Sequence, residues 1–494
     1  MKRLAAFLIA AAMSSTVYAA EVTIFGGAKV KPTYYGNLDF DASLLDAPTL
    51  NEGGWANGEH VRTELRLGAK ASGDHWTAMM IAEADLINEK DTVDRSFYGA
   101  ATKANSTNFG SEYGIERAEF TYSFLPALKL ATGWNIRAAD IATGGMVFGD
   151  DHPFLELSGK IAPNLGYQFT YLQIQNRSSA PSPVVREPSL LNDWRAYLLR
   201  FPVNVAGPGF KVDVTPFVLA SDNEQRFARA YYLGAELTGQ IGIVKPYLEL
   251  AYVSGDFDPG RRGGAQQGVT APVPTARDIR SMAAFAGVEL VVSKAFHPYA
   301  AVRYTKGDGD AGDAKAEGFV GITDIGRFTG LLGMDGAVLG EHLASGASPF
   351  GSPLYGFSPE RAVGGNGYGG IGNGGSGNNP GQRLLAIGAR GDLGDLVKSL
   401  SYKAQAFYVM YDQTGNLVNT ASGASTPGYL GGPKVARAAG TILAVQVKYE
   451  LSEAFAIDFI GSGFLPGKGI EDQLAPTAKS AVAQAHTLTL AWAF

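Results

Sequence analysis

The sequence contains no cysteine. That absence excludes a disulfide framework, a cysteine-borne lipid anchor, c-type haem attachment and thiolate metal sites. It also lacks any apolar run of about eighteen residues, so no bilayer-spanning hydrophobic helix is expected. Basic residues are outnumbered, 41 against 47 acidic, for a net charge of −6, and nucleic-acid binding, which calls for a basic excess, is not expected. No HExxH or GxSxG motif occurs. A GxGxxG match at 367–372 sits in GGNGYGGIGNGGSGNNPG, with no strand before it and no helix after it, and reads as a flexible Gly-rich loop.

What the sequence does have is glycine (64), phenylalanine (26) and tyrosine (22), a composition that favours strands and turns. The opening MKRLAAFLIAAAMSSTVYA shows a basic start, an apolar run over Leu4–Ala12 and small residues before Ala19. Residues 1–19 are therefore expected to be a secretory signal peptide, with 20–494 the mature barrel. The end of the chain, AHTLTLAWAF (485–494), has period two: Leu488, Leu490, Trp492 and Phe494 on one face, Thr487 and Thr489 on the other.

Comparable alternating segments of about ten residues recur from 22–35 to 484–494, about eighteen in all. The connections between them alternate in length, long then short, from the first onward. A soluble sandwich has no reason to sort loops by parity. A membrane barrel does, with short periplasmic turns on one rim and long extracellular loops on the other. The expected fold class is all-β: one transmembrane antiparallel β-barrel of about eighteen strands, closed by pairing of the last strand with the first, with Val22-Thr23-Ile24 as its partner.

A barrel of about sixteen to eighteen strands leaves a water-filled channel, so inward positions should be polar. In HVRTELRLGAK (60–70), His60, Arg62, Glu64 and Arg66 alternate with Val61, Thr63, Leu65 and Leu67. The same alternation turns Lys29, Lys31, Arg117, Glu119, Lys129, Arg137, Lys245, Arg303, Lys403 and Lys448 toward the lumen. The first five strands carry a basic excess, which would concentrate anions; the competing reading is that Arg and Glu simply pair across a wet wall.

Three stretches carry a family resemblance: LELAYVSGDFDPG (248–260), AAVRYTKGDGDAGD (300–313) and ERAEFTYSFLPALKLATGWN (116–135). Strands running into Gly-Asp before a long loop, and a strand–turn–strand ending in Gly-Trp-Asn, resemble the alginate-export group of outer-membrane barrels. The resemblance implies a single-chain channel with an Arg- and Lys-lined path for an anionic polysaccharide. The sequence departs from that pattern in its mixed-charge wall and in the long Gly-rich loop 306–382, which makes a generic porin for small hydrophilic solutes the better expectation. Within that loop, 324–343 is expected to fold into the mouth as a constriction.

The aspartates Asp256/Asp258 and Asp308/Asp310/Asp313 offer oxygen ligands but lack EF-hand spacing and read as turn chemistry, so no metal and no cofactor are expected. Two other functions compete: an outer-membrane enzyme using Asp150-Asp151-His152 as a base, and a barrel sheath around an electron-transfer cytochrome. The expected partners are outer-membrane lipid and the barrel-assembly machinery, whose recognition signal would be the Leu488, Leu490, Trp492, Phe494 face. Porins of this size occur as monomers and as homotrimers, and the sequence leaves both open. The expected location is the bacterial outer membrane.

Overall fold

The computed structural model of the chain describes residues 21–37, 40, 42, 58–87, 112–175, 194–223, 228–257, 277–310, 312–322, 329–334, 380–474 and 476–494. They form twenty strands: β1 (Glu21–Gly36), β2 (Gly58–Ser72), β3 (Trp76–Ile87), β4 (Glu112–Leu125), β5 (Leu128–Ala138), β6 (Gly149–Ala162), β7 (Leu165–Gln175), β8 (Trp194–Arg200), β9 (Val203–Gly207), β10 (Phe210–Asn223), β11 (Ala228–Ile241), β12 (Val244–Phe257), β13 (Arg277–Leu290), β14 (His297–Thr305), β15 (Lys315–Ala316), β16 (Gln382–Asp392), β17 (Leu400–Tyr411), β18 (Ala438–Ser452), β19 (Phe455–Pro466) and β20 (Ala483–Ala493).

Two of these do not count as separate wall strands. β8 and β9 are halves of one strand, both paired with β10, and the break falls at Pro202, which has no amide hydrogen to give the ladder. β15 is a two-residue parallel bridge to the upper end of β13. What remains is a closed antiparallel barrel of eighteen strands.

Closure is made by β1, which pairs with β2 on one side and β20 on the other. The register of the seam corrects the expected partner. β20 runs against Gly27–Gly36, Phe494 exchanges two 3.0 Å backbone hydrogen bonds with Gly26, and Val22-Thr23-Ile24 pair only with Lys70–Ala71 and Ala69 on β2. The strands of a barrel are tilted and staggered, so the first strand projects beyond the last instead of meeting it end to end.

The parity of the connections holds. On the rim shared by both ends of the chain they are brief (73–75, 126–127, 163–164, 208–209, 242–243, 291–296, 393–399, 453–454), and those on the other are longer, apart from the four-residue 224–227.

Alternation along each strand divides lipid face from interior. Leu65, Leu67, Leu155, Leu233, Leu250, Ile387 and Leu443 are exposed outward, with Phe120, Phe124, Trp134, Tyr197, Tyr231, Tyr252, Tyr408 and Trp492 among them. A closed sheet has no edge to protect, so this apolar exterior is compatible with a single lipid solvent. Leu488, Trp492 and Phe494 are exposed outward as expected, and Thr487 is buried inward, hydrogen-bonded to Thr33 at 3.2 Å.

Candidate functional site

The interior of the barrel is not uniform, and this the alternation pattern did not reveal. Across β8–β17 the extracellular half of the inward face is apolar: Trp194, Leu198, Phe217, Leu219, Tyr232, Val253, Ile279, Phe285, Leu384, Phe407 and Val409 are all buried. They are covered by chain from two connections. The turn 139–148 contributes Ala139, Met146, Val147 and Phe148; the segment after β14 contributes Phe319, Val320, Ile322, Leu331 and Leu332. Backbone bonds knit the two inserts together, with Ile322 N donating to Val147 O at 2.7 Å, and Tyr232 Oη donates to Val320 O at 2.8 Å. One side of the lumen is thus a small hydrophobic core.

The facing wall, β1–β5, keeps its charges. Glu64 is nearly covered by the cations around it: Lys31 Nζ at 2.9 Å, Arg66 Nε at 3.2 Å and Lys29 Nζ at 3.6 Å. Arg66 also reaches Glu83, and Glu116 at 3.2 Å, while Arg117 meets Glu116 at 3.5 Å. Arg62 stands opposite Lys31 in the β1–β2 register. A β-bulge between Ile81 and Ala82 on the β3–β4 seam brings neighbours Glu116 and Arg117 into one network, which simple alternation does not anticipate. Arg137 joins Glu119 at 3.3 Å and Glu156 at 2.9 Å, with its guanidinium 3.5 Å from the centre of the Phe154 ring. Lys129 stands beside Ser158 near the periplasmic rim and is exposed.

Glu64, Glu119, Lys29, Lys31, Arg66, Arg117, Lys129 and Arg137 are therefore brought together on one wall. Lys245, Lys403 and Lys448 are elsewhere, around a cavity of 460 Å³ near the periplasmic rim that Lys294, His297, Arg390 and Glu289 also line. Glu289 is fully buried there between Arg390 Nη2 (2.6 Å), His297 Nδ1 (3.0 Å) and Tyr247 Oη (3.0 Å). Strand alternation turns Glu289 and Arg390 toward the lumen as well; it does not reach Lys294 and His297, which lie next to a turn where alternation is hardest to phase.

Arg303 and Lys403 face inward but are buried, contrary to an open lining position. For Lys403 the reason is the inserted segment: Lys403 Nζ donates to Gly333 O at 2.5 Å, and beside it Gln405 Nε2 donates to Leu332 O at 3.1 Å and Arg390 Nη1 to Gly330 O at 2.8 Å. Of the expected constriction 324–343, residues 329–334 are described, and they lie deep against β16 and β17.

The remaining candidates resolve simply. Asp308, Asp310 and Asp313 spend carboxylate oxygens on backbone amides of Asp310, Gly312 and Lys315, and Asp308 on that of Glu317, which is turn chemistry. Asp258 lies outside the described residues. His152 is buried and stacked on Phe148, with ring centroids 6.1 Å apart, so it does not line an open cleft.

No protein-family model matches this chain, and no curated protein does. Solved structures do. The barrel is similar to Acinetobacter baumannii OccAB2 (TM-score 0.53, 11% identity, 96% of this chain and 98% of that one). It is likewise similar to Pseudomonas aeruginosa OccK5, also called OpdH (TM-score 0.51, 10% identity, the same coverage). The fold is that of the Occ porin barrels. A further similar structure, Pseudomonas aeruginosa OccK2 (OpdF), was solved in complex with glucuronate (TM-score 0.51, 10% identity, 96% and 98% covered). The likeness is one of barrel fold, and it does not extend to the alginate-export group that the loop motifs resemble.

Proposed function

We propose that the protein is a porin of the bacterial outer membrane, a passive channel for small hydrophilic solutes with a preference for anions. The observation that carries this is the split interior. One side is sealed by inserted chain, and the other is a wall of charged, partly exposed side chains on β1–β5 inside a closed eighteen-strand barrel. A wall needed only for folding would be covered as the opposite one is. Solvated charges are stable where water remains, and a field of one sign focuses counter-ions along such a path.

Under this reading Lys29, Lys31, Arg62, Arg66, Arg117, Lys129 and Arg137 set the attraction for anions, Glu64 and Glu119 moderate it, and Lys245 and Lys448 extend it to the periplasmic cavity. Residues 329–334 narrow the bore. Residues 1–19 direct export, and the outward Leu488, Leu490, Trp492 and Phe494 face supports insertion by the assembly machinery. The glucuronate complex of OccK2 makes a sugar acid the first solute to try; an anionic polysaccharide is the finer expectation left by the alginate-export resemblance. The enzyme reading loses support with His152 buried.

The test is reconstitution in planar bilayers. Open-channel conductance with anion-over-cation selectivity is expected, reversed or abolished by joint charge reversal at Arg62 and Arg66. Cation selectivity that the double reversal leaves unchanged would overturn the anion reading.

A further inference from the structure

The 460 Å³ cavity near the periplasmic rim holds more positive charge than its own carboxylates balance. Lys245, Lys294, Arg390, Lys403 and Lys448 line it, against Glu289 and Asp392. Glu289 is saturated, its two oxygens accepting from Arg390, His297 and Tyr247 at 2.6 to 3.0 Å. Asp392 accepts from Gly394 N at 2.7 Å in the adjoining turn, and Lys448 pairs with Glu450 at 2.7 Å. Lys245 stands opposite Glu289 across β12 and β13, yet neither it nor Lys294 makes an ion pair among the described residues.

Two of these cations are also set against each other. Arg390 on β16 and Lys403 on β17 are directly opposed in register, and like charges so placed repel. The acceptors that meet them on the extracellular side are neutral: Gly330 O takes Arg390 Nη1 at 2.8 Å and Gly333 O takes Lys403 Nζ at 2.5 Å. Lys403 also lies 5.9 Å from the centre of the Tyr299 ring. Those two bonds, with Gln405 Nε2 to Leu332 O at 3.1 Å, tie residues 329–334 to β16 and β17. The remaining hold is apolar, with Leu331, Leu332 and Met334 buried. The same two side chains thus line the cavity and fasten the segment that narrows the bore.

We propose that this cavity binds the oxyanion end of a small organic solute, and that filling it loosens residues 329–334. A charged oxygen makes hydrogen bonds to guanidinium and ammonium groups about twice as strong as those of a neutral carbonyl. An anion between Arg390 and Lys403 therefore competes with Gly330 O and Gly333 O and relieves the repulsion between the two cations. Lys245 and Lys294 add donors that no carboxylate holds. Gly330 is exposed, so water takes up its released carbonyl. Two of the three polar ties go and the apolar seat stays, so the segment moves more freely without leaving the wall. The coupling is reciprocal: a tied segment weakens the anion's hold, and a bound anion weakens the segment's. The cavity's volume is in the range of small-molecule sites.

That a solute arrives through the bore rests on the channel reading; that it binds at the periplasmic rim can be measured without current. The chain has no cysteine of its own, and Thr329 is buried and close to cysteine in size, so Thr329→Cys places one protected thiol at the start of the segment. In detergent-solubilised protein at low salt, glucuronate should raise the alkylation rate of that thiol by about fivefold or more, and glucose should leave it unchanged. With Lys245→Gln and Lys294→Gln added, the half-maximal effect should need about tenfold more glucuronate. Neither lysine is bonded to the segment, so the rate without solute should match the parent. Should Thr329→Cys fail to give a folded barrel, Leu332→Cys, also buried, repeats the measurement. No response to glucuronate, an equal response to glucose, or a response that the two lysine substitutions leave unshifted would overturn the proposal. A protein that shows the expected alkylation response but carries no current would keep the site and count against the channel instead.

Discussion

Replacing Glu64 with glutamine tests the charged wall most directly. The side chain is almost fully covered by Lys29, Lys31 and Arg66, so glutamine removes one negative charge and leaves three cations in place. A unit charge at roughly 8 Å from a passing ion, in water with a dielectric constant of about 80, contributes ~0.5 kcal/mol. That is about a twofold rise in local anion concentration and an equal fall for cations, so the permeability ratio should move about fourfold toward anions. The shift depends on salt: screening reaches about 30 Å at 0.01 M but only about 3 Å at 1 M. Reversal potentials under a salt gradient should therefore show the effect at low salt and lose most of it at high salt. An unchanged ratio at low salt would mean that ions do not pass this wall. A shift of equal size at both concentrations would mean that the substitution altered the shape of the pore instead of its field.

Loss of Lys403 as Lys403→Ala removes a hydrogen bond to Gly333 O; single-channel conductance should rise and grow noisier as residues 329–334 loosen. Arg137→Ala removes the cation shared by Glu119 and Glu156 and leaves them to Asn135 and to Gln168 and Thr170; a cost of about 2 kcal/mol should appear in urea unfolding from lipid vesicles. Gly133 has φ of 140°, and a Cβ there would sit 1.9 Å from Ala118 O; Gly133→Ala should therefore lower the folded fraction seen by heat-modifiable gel mobility, by about 1–3 kcal/mol of strain. Deleting Phe494 removes two backbone hydrogen bonds at the seam; surface level should drop while the conductance of the channels that do assemble stays the same.

The sequence by itself determined the wall. Period-two alternation is local, so which face of a strand is apolar can be read residue by residue, as Leu65 and Leu67 against Glu64 and Arg66 illustrate. Loop parity follows from antiparallel order, and strand number from the count of segments, apart from the Pro202 break that divides one strand in two.

What fills the barrel was decided only in three dimensions. Leu219, Val253 and Phe285 are inward apolar positions whose cover comes from connections far away in sequence, and no periodicity reports a turn folding back into a lumen. The seam register likewise depends on the stagger of the whole barrel, which no single strand encodes. The partners of Glu249 were hidden for the same reason: Thr143 and Gly144 lie on a turn between other strands, and only closure of the barrel brings them to it.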